Sequence, residues 1–204
     1  MWDAALTLSA WLLSRPAAEF SGKRVLELGA GPGLPSLVLG MCTSARVVAT
    51  DVFPLTLDNL VHNVEGLPAE AAARITIEPL DWYDDLATTA ERHGGADFVI
   101  AADVVYDPEL APPLLRTLGA LIGHQPPASE HARPTRTLLA AERRGDAWSM
   151  FERALVDHGF FTVHDHSAEA RAALRAVGCP FWVANESIER QVLLEVGLAA
   201  TPAR

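Results

Sequence analysis

The segment Val25-Leu26-Glu27-Leu28-Gly29-Ala30-Gly31-Pro32-Gly33 decides the fold. A short buried strand is predicted over Arg24–Leu28, and the glycines after it allow a tight turn in which the backbone can approach a ligand closely. The helix predicted next, Leu34–Met41, offers free N–H groups at its start. A strand, a glycine turn and a helix in this order predict a site for a nucleotide-like cofactor.

Gly29, Gly31 and Gly33 are the residues expected to bind that cofactor. Their spacing differs from that of dinucleotide-binding proteins, because the third glycine of that motif would fall at Leu34. Glu27, at the end of the strand, would repel a pyrophosphate but attract the ammonium of a methionine group. The turn therefore favours S-adenosylmethionine over NAD.

Strands and helices alternate along the rest of the chain. Further strands are predicted at Arg46–Thr50, Arg74–Glu78, Asp97–Ala101, Thr137–Ala141, Phe160–His164 and Ile188–Val196. Further helices are predicted at Pro54–Val64, from Pro108 to about Ile122, and at Asp146–His158. This alternation predicts an α/β, Rossmann-like, seven-stranded and mostly parallel sheet with helices on both faces. Residues 167 to 176 allow only a short helix before the last strand, which predicts an antiparallel edge strand.

Length and composition indicate one domain over residues 1–204, with a leading helix in 1–16 and a surface loop in 123–136. No apolar run reaches the roughly 18 residues of a membrane span, and Asp3 stands where a secretion signal would be basic. Cys42 and Cys179 are interpreted as free buried thiols. We therefore expect a cytoplasmic protein. The net charge of −10 argues against nucleic acid as the main partner.

Acidic residues follow three further strands. Asp51 ends the second strand, where its carboxylate can accept hydrogen bonds from both hydroxyls of an adenosine ribose. Asp81 and Trp82 follow the third strand, where Asp81 could accept from the adenine amine and Trp82 could pack on the ring or simply belong to the core.

The fourth strand runs into the turn Ala102-Asp103-Val104-Val105-Tyr106. Ala102 is expected to line the cofactor, and the carboxylate of Asp103 and the phenol of Tyr106 can hold an amine beside the transferred methyl group.

Four separated motifs resemble those of the seven-β-strand protein-lysine methyltransferases. The motifs are Trp2-Asp3-Ala4-Ala5-Leu6, Val25-Leu26-Glu27-Leu28-Gly29, Leu80-Asp81-Trp82 and Ala101-Ala102-Asp103-Val104-Val105-Tyr106. The similarity runs from Trp2 to about Leu155.

The resemblance implies a role for several of these residues. Trp2 would border the cofactor, Asp103 and Tyr106 would shape the pocket for the target lysine, and Arg143 or Arg144 would match an arginine that recurs after the fifth strand. It also implies a protein substrate that carries a target lysine, with a translation elongation factor as a candidate, and we expect a monomer. A lysine amine, with a reference pKa of about 10.4, arrives protonated and must lose its proton before it can attack. We expect Asp103 and Tyr106 to orient it while water removes the proton.

Two other functions remain open at this level, namely a small-molecule N-methyltransferase and a non-catalytic S-adenosylmethionine-binding scaffold. His164 and His166 alternate on a strand and could share a face as metal ligands, but the sequence offers no third ligand. We expect them to be surface residues, and we expect no metal.

Overall fold

Seven strands form one sheet in the computed structural model, which describes residues 3–124, 134–178 and 185–198. The strands are β1 (Arg24–Leu28), β2 (Arg46–Asp51), β3 (Ile75–Pro79), β4 (Phe98–Ala102), β5 (Arg136–Glu142), β6 (Phe160–Asp165) and β7 (Gln191–Leu198). Their order is β3-β2-β1-β4-β5-β7-β6. Strands β1 to β5 are parallel, and β7 is antiparallel to both of its neighbours.

The predicted fold class is confirmed. β2 and β3 lie on one side of β1, and β4 and β5 lie on the other, so the connections leave β1 in opposite directions. Ligands of such sheets bind at this switch point, outside the carboxyl ends of the strands. The antiparallel strand β7 lies one position inside the edge, and β6 is the edge strand that pairs with it.

Helices cover both faces of the sheet. They are α1 (Asp3–Ser14), α2 (Leu34–Cys42), α3 (Pro54–Glu65), α4 (Ala69–Ala72), α5 (Leu86–His93), α6 (Ala111–Gly123), α7 (Gly145–Asp157), α8 (Ser167–Ala176) and α9 (Asn185–Arg190). The sequence interpretation contained neither α4 nor α5, which are short. It was wrong for Ile188–Arg190, which was taken as strand, because these residues end α9. Ile188 of α9 is buried in a small apolar cluster that also contains Leu174 of α8.

Two cores lie on opposite faces of the sheet. Alternation along β1 sends Leu26 to the core under α6 and α7, and Val25 to the core under α1 and α2. Trp11 of α1 is fully buried in the second core. Four of the five residues of β1 are buried, as expected of a central parallel strand that is covered on both faces.

Two predictions about burial were wrong. Cys42 is a free thiol but is exposed at the end of α2, and His166, expected at the surface, is buried beside Trp11. Cys179 and most of the predicted loop 123–136 lie outside the described residues. Within the described ranges, no helix combines the length and the apolar composition that crossing a membrane requires.

Stability should depend on the absence of a side chain at Gly33 in the glycine turn. Gly33 has φ +84°, and a Cβ there would lie 2.2 Å from Cδ1 of the fully buried Leu60. Gly33→Ala therefore combines backbone strain with a clash, whereas Gly22→Ala, at φ +74° with nothing within 4 Å, has the strain alone. In urea titrations, we expect the free energy of unfolding to fall by about 2 kcal/mol more in Gly33→Ala than in Gly22→Ala. Equal losses would contradict this account.

Candidate functional site

The glycine turn after β1 opens onto space at one position. Gly29, Gly31 and Gly33 have φ of 61°, 56° and 84°, a left-handed region that residues with a Cβ rarely adopt. A Cβ on Gly29 would lie 2.9 Å from Cγ1 of Val104, and one on Gly33 would meet Leu60. Gly31 has nothing within 4 Å of that position. Gly29 and Gly33 are therefore required by packing, and Gly31 is where a ligand can approach the backbone.

Asp51 joins the end of β2 to this turn. Its Oδ2 accepts a hydrogen bond from the Gly31 N–H at 3.0 Å, and its Oδ1 accepts from the N–H groups of Val52 at 2.8 Å and Phe53 at 3.2 Å. Three backbone donors thus fix the orientation of the half-buried carboxylate. Each carboxylate oxygen has two acceptor positions, so these three bonds leave one open position, on Oδ2. Asp51 can therefore accept one ribose hydroxyl there, and a second one in place of a backbone donor.

Glu27 is buried beneath the turn, with 1% of its surface exposed. Its Oε2 accepts from the Ser36 N–H at 3.1 Å and also from the Ser36 hydroxyl, so it holds the first turn of α2. Burial raises its pKa to about 7, although the bonds from Ser36 lower it, and the charge of Asp51 raises it further. Sequence reasoning assigned Glu27 to the cofactor alone and missed this structural role.

Trp82 lies directly beside the glycine turn. Its Cζ2 is 3.4 Å from the position that a Cβ on Gly29 would occupy, and the half-buried indole also packs against the core under α6. Asp81 is half-buried, and its Oδ1 accepts from the Tyr83 N–H at 3.0 Å. Both side chains follow β3, as predicted, and the structure brings Trp82 to the turn.

Asp103 follows β4 in a strained backbone conformation. Among the described residues, it is the one non-glycine with a positive φ, at 57°. Its N–H donates to the Ala140 carbonyl of β5 at 2.9 Å, which fixes the turn. Asp103 is 7% exposed, and burial raises its pKa. Arg144 lowers this pKa, whereas the charges of Glu142 and Asp3 raise it further.

Arg144 connects two acidic side chains at this end of the sheet. Its Nη2 lies 3.5 Å from Oδ2 of Asp103 and 2.8 Å from Oε2 of Glu142. Of the two arginines considered from sequence, Arg144 is the one that reaches Asp103, because Arg143 lies over the Trp148 ring, 5.9 Å from its centroid.

Glu142 is a site residue that sequence reasoning missed. It ends β5 as Asp51 ends β2. An acidic residue at the end of a strand is therefore the sequence feature that could have identified it. Burial acts to raise its pKa, but hydrogen bonds from Arg190 and Arg144 outweigh burial, so the pKa is lowered. Glu142 therefore stays charged and holds Arg144 beside Asp103.

The remaining predicted residues are placed as follows. Tyr106 lies in the same turn as Asp103, three residues on, and is 62% exposed. Ala102 is half-buried at the end of β4. Trp2 lies outside the described residues.

Known proteins resemble this chain in sequence and in structure. It is 40% identical over 138 residues to the protein-lysine N-methyltransferase EEF2KMT of Homo sapiens, a match that covers 61% of this chain and 41% of that protein. It is 38% identical over 119 residues to the protein N-lysine methyltransferase METTL21A of Danio rerio, which covers 58% and 52%. The chain thus spans about half the length of these relatives, or less.

The solved structure of the glycopeptide N-methyltransferase MtfA has the same fold, with a TM-score of 0.64, 13% identity, and coverage of 96% of this chain and 90% of that one. At this identity the likeness shows the fold alone. A family model described as lysine methyltransferase matches residues 1–155, which is most of the chain. The chain therefore belongs to the lysine methyltransferase family.

Proposed function

We propose that this chain transfers a methyl group from S-adenosylmethionine to the side-chain amine of a lysine in a protein. The observation that carries the proposal is the buried carboxylate of Asp103, held in a left-handed turn whose next residue, Val104, packs directly on Gly29. An acidic group that suits an amine thus adjoins a glycine turn that suits a nucleoside.

The residues around the turn fit S-adenosylmethionine. Gly31 leaves room for the ligand against the backbone. Asp51 would accept from the hydroxyls of an unphosphorylated ribose, one at its open position on Oδ2 and the other in place of a backbone donor. Trp82 would border the adenine, with Asp81 as an acceptor for its amine, and Glu27 would attract the methionine ammonium from below the turn. When bound, S-adenosylmethionine supplies an electrophilic methyl group on a sulfonium.

Ala102 and Trp2 would complete the cofactor site. Ala102, half-buried at the end of β4, would line it on the side of Asp103. The role of Trp2 rests on the resemblance to the family.

Asp103 and Tyr106 would hold the lysine. Removing the Asp103 carboxylate from water is unfavourable, and an incoming ammonium would offset that cost. The exposed Tyr106 ring can cover the aliphatic part of the lysine side chain. Once oriented, the amine loses its proton to water, and alignment supplies most of the catalysis.

The proposed substrate is a protein, and a translation elongation factor is the first candidate to test, because the relatives are named as protein-lysine methyltransferases. The net charge of −10 suits a basic surface and disfavours a nucleic acid backbone. We propose that the chain acts as a monomer in the cytoplasm.

Methyl transfer can be tested directly by incubating the protein with radiolabelled S-adenosylmethionine and a cell extract. We expect label in one or a few protein bands. Asp103→Asn should lower the rate of labelling by about 100-fold or more while it keeps cofactor affinity, because it removes the charge that holds the amine. Tyr106→Ala should mainly raise the KM for the protein, because it removes the ring that covers the lysine side chain.

Three other outcomes of this experiment would each contradict part of the proposal. Label in small solutes alone would identify a small-molecule methyltransferase, and no label in any fraction would indicate a binding protein without turnover. Full turnover with unchanged substrate affinity in Asp103→Asn would exclude the role given to Asp103.

Cofactor affinity should depend on Asp51. We expect Asp51→Ala to weaken binding of S-adenosylmethionine at least tenfold in calorimetric titration, because both ribose hydroxyls lose their acceptor. Asp58→Ala, on the exposed face of α3, is the matched control and should bind like the parent. Parent-like affinity in Asp51→Ala would overturn the assignment of the ribose to this residue.

Glu27 should make stability depend on pH. Burial raises its pKa from 4.5 to about 7, so between these values the folded protein keeps a proton that the unfolded chain has lost. The free energy of unfolding should therefore fall as the pH rises through this range. Glu27→Gln removes this pH dependence. From pH 5 to pH 8, its free energy of unfolding relative to that of the parent should therefore rise by on the order of 2 kcal/mol in urea titrations.

The exposed Glu65→Gln on α3 is the control for this series, because its carboxylate is hydrated in both the folded and the unfolded state. A stability difference between Glu27→Gln and the parent that stays constant with pH would refute the explanation.

A further inference from the structure

Two histidines and a glutamate come together where β6 ends and α8 begins. The side chains of His164, His166 and Glu169 each offer one ligand atom, and these three atoms lie within 4.8 Å of one another. We propose that this cluster binds a divalent transition metal ion, with zinc as the best fit. Glu169 is the third ligand that the sequence pattern did not reveal.

The spacing of the ligand atoms suits a tetrahedral ion. With bonds of about 2.0–2.1 Å, two ligands of a tetrahedral zinc ion lie about 3.3 Å apart. Nδ1 of His166 and Oε2 of Glu169 are 3.2 Å apart. The rings of His164 and His166 have centroids 4.2 Å apart, and His164 is exposed, so its side chain can rotate to close the remaining distance.

The second nitrogen of His166 has the partner that a metal-bound histidine requires. Nε2 lies 3.2 Å from Oε2 of Glu195, and Arg136 holds that carboxylate through Nε at 2.9 Å and Nη2 at 2.8 Å. A carboxylate on the far ring nitrogen fixes the tautomer and orientation of a ligand histidine. In this arrangement Glu195 accepts from Nε2–H and leaves the Nδ1 lone pair directed at the site.

An ion pair between a protonated His166 and its two glutamates is the competing explanation. It accounts for Glu169 and Glu195, but not for His164, whose ring lies against that of His166. A metal site accounts for all four side chains.

The cluster lies away from the proposed methyl-transfer site. Strands β7 and β5 separate β6 from β4, so the two sites are roughly 14 Å apart at the usual strand spacing. Trp11 of α1 covers His166, and its Nε1–H reaches Oε2 of Glu169 at 3.5 Å. The ion would therefore connect the sheet edge to α8 beneath α1, and with three protein ligands it would keep its fourth position for water.

Binding can be tested with zinc alone, on tag-free protein stripped with a chelator and then dialysed. Titration of zinc chloride in a calorimeter should give one site per chain, and saturation should raise the melting temperature by about 5 °C or more. His164→Ala and Glu169→Gln should each weaken zinc binding at least tenfold. His62→Ala, an exposed histidine on α3, is the matched control and should bind like the parent.

These variants change exposed side chains, so the metal-free melting temperatures should match that of the parent and confirm folding. Absence of binding at 100-fold molar excess of zinc would overturn the proposal. Binding that is unchanged in both His164→Ala and Glu169→Gln would also overturn it, because the ion would then lie elsewhere. Labelling activity with S-adenosylmethionine should persist in both variants, which separates this test from that of the proposed function.

Discussion

Gly29 has no side chain, and Val104 and Trp82 occupy the space that a Cβ would need. This close approach brings the turns after β1, β3 and β4 into one site. Two hydrogen bonds join the end of β2 to this site, one from the Ala30 N–H to the Thr50 carbonyl and one from the Gly31 N–H to Asp51. The four strand ends therefore cannot move independently, and a cofactor at Gly31 would lie next to a substrate at Asp103.

The acidic end of the site depends on charge balance. Asp103 and Glu142 are both buried, and isolated carboxylates there would be costly. Arg144 contacts both, and Arg190 contacts Glu142 from α9. The pKa of Glu142 is lowered while that of Asp103 is raised, so the two acids share the arginines unequally. Asp103 is left as the group with most to gain from a cationic substrate.

The outer edge of the sheet shows the same reliance on distant residues. Glu195 of β7, His166 after β6 and Glu169 of α8 meet beneath Trp11 of α1. Sequence reasoning placed the two histidines on one face, but it could not supply Glu195 or Glu169, because strand pairing and helix direction bring these residues to them.

Local pattern alone determined the fold class and the cofactor turn. Apolar runs that alternate with helical periods give a parallel sheet, and three glycines after a buried strand leave few other conformations. Tertiary packing decided the rest. It formed α9 where a strand was expected at Ile188, directed Glu27 to Ser36, and selected Arg144 over Arg143 for Asp103. Each of these outcomes depends on contacts between residues far apart in the chain or on the direction of a side chain, which no local pattern contains.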